Sequence, residues 1–140
     1  MQKAVKNCDV IICSGGVSVG KYDLVQETLL ELGLDLNFWK VKMKPGKPIV
    51  FGRLKELPFF GLPGNPVSCA VVFLTLLRPW LLSQLGHTKK LFLSKTTAIL
   101  EEDIIKNHGR AEFFRMNIRR VNDQYYAKRT GSQSSAWMTS

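Results

Sequence analysis

Ser14-Gly15-Gly16-Val17-Ser18-Val19-Gly20 sets three glycines and two hydroxyls directly after an apolar run. Glycines in such a turn let the backbone come close to a ligand and aim N–H groups at it. A helix starting next adds partial positive charge. Ser14, Gly15, Gly16, Ser18 and Gly20 therefore form a candidate floor for an anionic, phosphorylated small molecule; the alternative is a tight strand-to-helix turn. The spacing is neither GxGxxG nor GxxxxGK, which excludes the dinucleotide fingerprint and the P-loop.

Asp23 stands just before a helical pattern with Gln26 three residues on, the arrangement of an N-cap and its capping-box partner. A carboxylate beside an anion site could also hold a divalent cation or position a reacting group. Both roles stay open. Trp39-Lys40-Val41-Lys42-Met43-Lys44-Pro45-Gly46-Lys47-Pro48 places four cations around a proline-glycine turn. Lysine is a compact point charge suited to phosphate or a tetrahedral oxyanion, so Lys40, Lys42, Lys44 and Lys47 are candidate clamp residues. The alternatives are a solvated edge strand and polynucleotide binding with Trp39 stacking. In Gly61-Leu62-Pro63-Gly64-Asn65-Pro66-Val67-Ser68, two prolines bracket Gly64-Asn65 and a helix begins at once. Such a stiff loop presents free N–H groups at the helix start, or is simply a well-capped connection.

These residues need elements to carry them. Asp9–Cys13 is a short apolar run, as in a strand of a parallel sheet buried on both faces. Val25, Leu29 and Leu32 repeat at helical spacing, with Gly33 as the stop. Asn37–Met43 reads as a second strand with Lys40 and Lys42 on one face. Ile49–Phe51 and Phe59–Leu62 are short strand candidates. Asn65 caps and Pro66 opens a helix reaching Leu85, stopped by Gly86 and bent or interrupted near Pro79. Beyond a boundary at 87–91, Thr96–Glu101 and Phe113–Val121 read as strands, and Asn122-Asp123 turns into Gln124–Arg129. In an open α/β sheet the three stiffened loops would line one crevice.

The chain has 140 residues, 45% of them hydrophobic, enough for a real core and too many for a disordered tail. Cys8, Cys13 and Cys69 lie far apart without a CxxC pair, which points to buried free thiols and a reducing, cytoplasmic compartment. Met1–Asp9 is polar, unlike a signal peptide. The longest apolar stretch, Cys69–Leu85, is broken by Arg78 and Pro79, as in a core helix and not a membrane span. The formal charge of +9 suits phosphates, oxyanions, nucleic acid or an anionic membrane without choosing among them.

SGGVSVGKYD, WKVKMKPGKP and GLPGNPVSC, in this order and spacing, resemble the signature stretches of the molybdopterin molybdenumtransferase family, the MoeA proteins and the gephyrin E domain. Gly109-Arg110 through Phe113-Arg115, and Thr130-Gly131-Ser132-Gln133, resemble the family's C-terminal β domain. The resemblance implies an α/β chain. Residues 1–88 would be a molybdopterin-binding domain with a partial parallel sheet and helices, lacking its first strands. Residues 89–140 would be a small, incomplete β-barrel-like domain. It also implies insertion of molybdate into adenylylated molybdopterin with release of AMP, or else a non-catalytic molybdopterin-binding or scaffolding module. On this resemblance Asp23 would hold Mg²⁺ or the reacting phosphoanhydride. Lys40, Lys44 and Lys47 would meet molybdate or phosphate charge. The Ser14–Gly20 turn would cradle the pterin phosphate or the nucleotide, and Pro63, Gly64, Asn65 and Pro66 would form the second binding loop. The implied partners are a small anionic substrate and a second copy of the full-length protein, with neither nucleic acid nor membrane.

Overall fold

The structure, a computed structural model, describes residues 8–16, 24–106, 109–131 and 133, and for 24–27 the backbone alone. Strand β1 (Ile11–Ser14) leads toward helix α1 (Leu24–Glu31), and Gly33 at φ 81° ends the helical run in the left-handed region. Strands β2 (Leu34–Trp39), β3 (Met43–Lys44), β4 (Val50–Leu54) and β5 (Leu57–Leu62) follow. Four of these make one sheet in the order β1-β5-β4-β2.

The expected parallel sheet is corrected to a mixed one. Only β1 and β5 run parallel, from Ile11 opposite Phe59 to Ser14 opposite Leu62. β4 is antiparallel to both β5 and β2. The reason is local: Lys55-Glu56 is a two-residue turn with Lys55 at φ 55°, and so short a connection makes a hairpin.

Strand β2 also starts earlier and stops sooner than its pattern suggests. Lys40 takes φ 80°, which breaks the alternation, so Lys40 and Lys42 do not share a strand face. Register slips between Leu36 and Phe38 as a bulge. Gly52 sits opposite, where an added Cβ would lie 2.4 Å from the Asp35 carbonyl oxygen.

Both faces of the sheet are buried. Phe59 joins Ile11, Leu29, Leu34, Val50 and Leu54 on the α1 side. Its neighbour Phe60 joins Met43, Ile49, Leu62, Val72 and Leu77 on the other. Adjacent strand residues point to opposite faces, so two consecutive buried phenylalanines require cover on each.

That second cover is the helix Asn65 announces. Helix α2 (Pro66–Val72) passes through a π-helical turn at Phe73–Leu77 into α3 (Arg78–Gln84). Pro79 brings no N–H and its ring crowds the Thr75 carbonyl. The ladder before it slips to i+5, with the Arg78 N–H donating to the Phe73 carbonyl. Gly86 (φ 84°) closes the helix: its N–H donates to Ser83 and that of His87 to Leu82. By length and composition Pro66–Gln84 could cross a bilayer; here Val72 and Leu77 are fully buried against the sheet.

The remaining strands are β6 (Ile99–Leu100), β7 (Ala111–Glu112), β8 (Met116–Val121) and β9 (Gln124–Arg129). The last two form a hairpin over Asn122-Asp123, both at positive φ (46° and 63°), and β6 joins β9 in parallel. The two long strand expectations shrink to Ile99–Leu100 and Met116–Val121. This three-stranded sheet does not close into a barrel among the described residues. Cys8, Cys13 and Cys69 form no disulfide among the described residues, and they are half-buried, not fully enclosed as expected.

Candidate functional site

Parallel pairing of β1 and β5 puts the glycine turn and the proline loop side by side at the carboxyl end of the sheet. The Gly15 N–H donates to the Leu62 carbonyl at 3.0 Å. Gly15 and Gly16 have φ of 88° and 71°, and a Cβ on Gly64 would stand 3.2 Å from the Gly15 Cα. The glycines thus let one loop approach the other. Ser14 Oγ lies 3.9 Å from Cys69 Sγ, joining the first loop to α2. Asn65 accepts from the Ser68 N–H at 3.2 Å, Pro66 opens the helix, and Pro63 is buried. Ser18, Gly20 and Asp23 lie outside the described residues.

A separate cleft of about 400 Å³ opens where the lysine loop meets α2 and the C-terminal strands. Lys44, Pro45, Gly46, Lys47 and Ser68 line it from the first part of the chain; Arg110, Glu112, Phe113, Phe114 and Gln133 line it from the second. The seam is the parallel pair β3–β7, with Met43 opposite Ala111 and Lys44 opposite Glu112. Lys44-Pro45 is a cis peptide. Gly46 (φ 104°) packs so tightly that a Cβ would stand 2.6 Å from Val72 Cγ2. The turn is thereby seated on α2, while the Lys44 and Lys47 side chains stay exposed.

The cleft brings three cations, Lys44, Lys47 and Arg110, against one carboxylate, Glu112. Two positive charges are left in excess, the complement of a dianion. Lys44 Nζ stands 3.9 Å from Glu112 Oε2, with side-chain exposures of 55% and 5%. At an effective dielectric of about 20 such a pair attracts by about 4 kcal/mol. Screening at the exposed lysine reduces the net worth to about 1 kcal/mol or less, so the pair orients more than it stabilises. Gln133 has another task. Its amide nitrogen donates to the carbonyls of Arg115 and Thr130, and its Oε1 accepts from the Arg115 N–H at 2.9 Å, pinning that segment to the strand start.

Of the expected site residues, Lys44 and Lys47 share this cleft. Ser14, Gly15, Gly16, Pro63, Gly64, Asn65 and Pro66 meet at the neighbouring sheet edge and do not line it. Lys40 is exposed at the end of β2 and does not line it either, because its positive φ turns the chain there. Among the described residues, the Ser14–Gly16 part of the glycine turn does not line the lysine cleft. Arg110 and Glu112 are cleft residues that local sequence did not single out. The available signal was the Gly109-Arg110 stretch, which carries no spacing relation to the lysine loop.

A mixed α/β layer with two stiffened loops at one sheet edge is thus joined to a β module through a cationic cleft. Residues 1–83 match the family described as a probable molybdopterin binding domain, and 97–140 match the MoeA C-terminal region (domain IV); the chain belongs to this family. The molybdopterin molybdenumtransferase of Haemophilus influenzae is 41% identical over 112 residues, 80% of this chain and 28% of that protein. Gephyrin of Dictyostelium discoideum is 35% identical over 159 residues, 96% of this chain and 22% of that protein. The crystal structure of the molybdopterin biosynthesis MoeA protein of Pyrococcus horikoshii superposes with a TM-score of 0.68 at 32% identity, covering 96% of this chain and 32% of that one. The chain spans about a quarter to a third of the length of such relatives.

Proposed function

We propose that this chain carries the substrate-handling part of a molybdopterin molybdenumtransferase, acting in molybdenum cofactor biosynthesis. The observation that carries the reading is the cleft in which Lys44, Lys47 and Arg110 converge, within a chain of this family. Molybdate, a tetrahedral dianion, matches its excess of two positive charges. Lys44 and Lys47 would neutralise the oxyanion, with Arg110 offering a planar donor set. The loops around Ser14–Gly16 and Pro63–Pro66 would hold adenylylated molybdopterin at the adjacent sheet edge, with Ser18 and Gly20 completing the first. Lys40 would meet charge at the rim. Catalysis of this kind is mostly positioning and charge neutralisation, with AMP as the released product.

Mg²⁺ is part of the proposal through Asp23. No group of three His, Cys, Asp or Glu that could hold a metal exists among the described residues. Mg²⁺ commonly takes only one or two carboxylates together with substrate phosphates, so a single aspartate with a phosphoanhydride fits its chemistry; no step above is routed through the ion. The same reading places the full-length protein in the cytoplasm as a homodimer.

The test is molybdate-dependent AMP release from adenylylated molybdopterin by the full-length protein. Asp23→Ala and Lys44→Ala should each lower turnover by about a hundredfold or more, the scale on which lost charge stabilisation acts. Full turnover in both variants would refute the assignment. Molybdopterin binding without any AMP release by the unaltered protein would favour a non-catalytic binding or scaffolding role.

A further inference from the structure

We infer that Glu112 is a positioning residue for Lys44, holding its ammonium group at the cleft wall where an oxyanion docks. The inference rests on the oxyanion reading of the cleft and goes beyond it by assigning a role to an acid inside an anion site.

A carboxylate is an unwelcome neighbour for an anion, so its presence needs a reason. Glu112 is brought there by backbone pairing: β7 lies in register with β3, and Glu112 stands opposite Lys44. Its side chain is 5% exposed, and both residues line the cleft. A purely structural buried carboxylate is hydrogen-bonded at both oxygens. Glu112 is not: Oε1 is buried with no hydrogen-bond partner, and Oε2 reaches Lys44 Nζ at 3.9 Å, beyond hydrogen-bond range. The carboxylate therefore has unused acceptor capacity beside the lysine.

The lysine, for its part, has a fixed root and a free head. Its Cα sits in the strand pair, two residues before a glycine seated against Val72. Its side chain is 55% exposed and carries most of the rotamer entropy a lysine can have. Glu112 is its only ion-pair partner within 4 Å among the described residues. Lys47 and Arg110, which also line the cleft, form no ion pair among the described residues. Within this cleft one cation of three is thus supplied with a buried counter-charge, which biases its rotamers toward the cleft wall before the ligand arrives.

The sign of one substitution decides between this role and plain repulsion. By Coulomb's law alone, removing a negative charge next to an anion site tightens anion binding. A positioning role predicts the reverse. Molybdate titrated calorimetrically onto the intact chain should bind about threefold to fivefold more weakly to Glu112→Gln, within the roughly 1 kcal/mol the pair is worth, with partial recovery in Glu112→Asp. In a Lys44→Ala background the Glu112→Gln loss should disappear, because the residue that Glu112 positions is gone. Relaxation of the lysine ε-carbon signals in the unaltered chain gives a readout that needs no variant: Lys44 should be more ordered than Lys47.

Equal or tighter molybdate binding by Glu112→Gln, the same loss with and without Lys44, or a Lys44 side chain as mobile as Lys47 would each overturn the inference while leaving the cleft's oxyanion role standing. No molybdate binding by the unaltered chain would instead overturn the oxyanion reading, and this inference with it.

Discussion

Gly46 shows how much rests on a missing side chain. At φ 104° it adopts a backbone that L side chains resist, and a Cβ would lie 2.6 Å from Val72 and 3.3 Å from Met43. The neighbouring lysines owe their placement to this contact. Gly46→Ala should cost about 2–3 kcal/mol, combining the positive-φ penalty with overpacking. A urea midpoint unchanged from the parent chain would show that the loop relaxes away from α2. The lysine loop was recognisable by composition, since four cations around Pro45-Gly46 suggest an anion clamp. Its selection was not: Lys40 drops out of the cleft because of its own φ of 80°, a backbone angle that residue type does not announce.

The elements differ in how directly their residues specify them. Asn65-Pro66 at one end and Gly86 at the other mark the long helix, because capping and left-handed termination are chemistry of single residues. The π-helical turn at Phe73–Leu77 follows from Pro79, though a proline in a helix signals disruption without saying of which kind. The hairpin β8–β9 was legible from Asn122-Asp123, and the structure adds what ties it to β6. Glu101 accepts hydrogen bonds from the Arg119 guanidinium, and Glu102 from the Arg129 side chain and N–H at 2.9 Å.

These bonds hold both carboxylates below the ordinary glutamate range, the hydrogen bond from the arginine being the largest cause in each. A depressed carboxylate stabilises the fold above its unfolded-state value, and that contribution is lost as pH falls through the folded-state value. The three-stranded sheet should therefore loosen on acidification below the usual glutamate range. Amide exchange at Ile99–Leu100 and along β9, followed against pH, would register it. Glu101→Gln with Glu102→Gln should remove that acid step, and an acid step that persists in the double variant would contradict the assignment.

At the scale of the molecule, the cleft exists only because the two parts meet through two residues of strand on each side, Met43-Lys44 and Ala111-Glu112. Arg110 reaches the lysines from a position 63 residues beyond Lys47. Arg110→Ala should weaken molybdate binding about tenfold, the lower end of what a hydrogen bond to a charged group contributes. Because Arg110 is exposed, the melting temperature should stay that of the parent chain. A fall in melting temperature with unchanged molybdate affinity would assign Arg110 to stability instead.

The sequence by itself determined the local devices of this protein. Its glycines mark turns, its caps and stops bound helices, its apolar runs mark buried strands, and its lysine loop concentrates positive charge. Each depends on atoms within a few residues of one another. Tertiary structure alone decided that β1 pairs in parallel with β5, that Gly15 packs on Gly64, and that Glu112 stands beside Lys44. Those outcomes depend on register and on contacts between residues 48 to 68 positions apart in the chain. Side-chain identity does not encode such distances until the two faces of the sheet have both been covered.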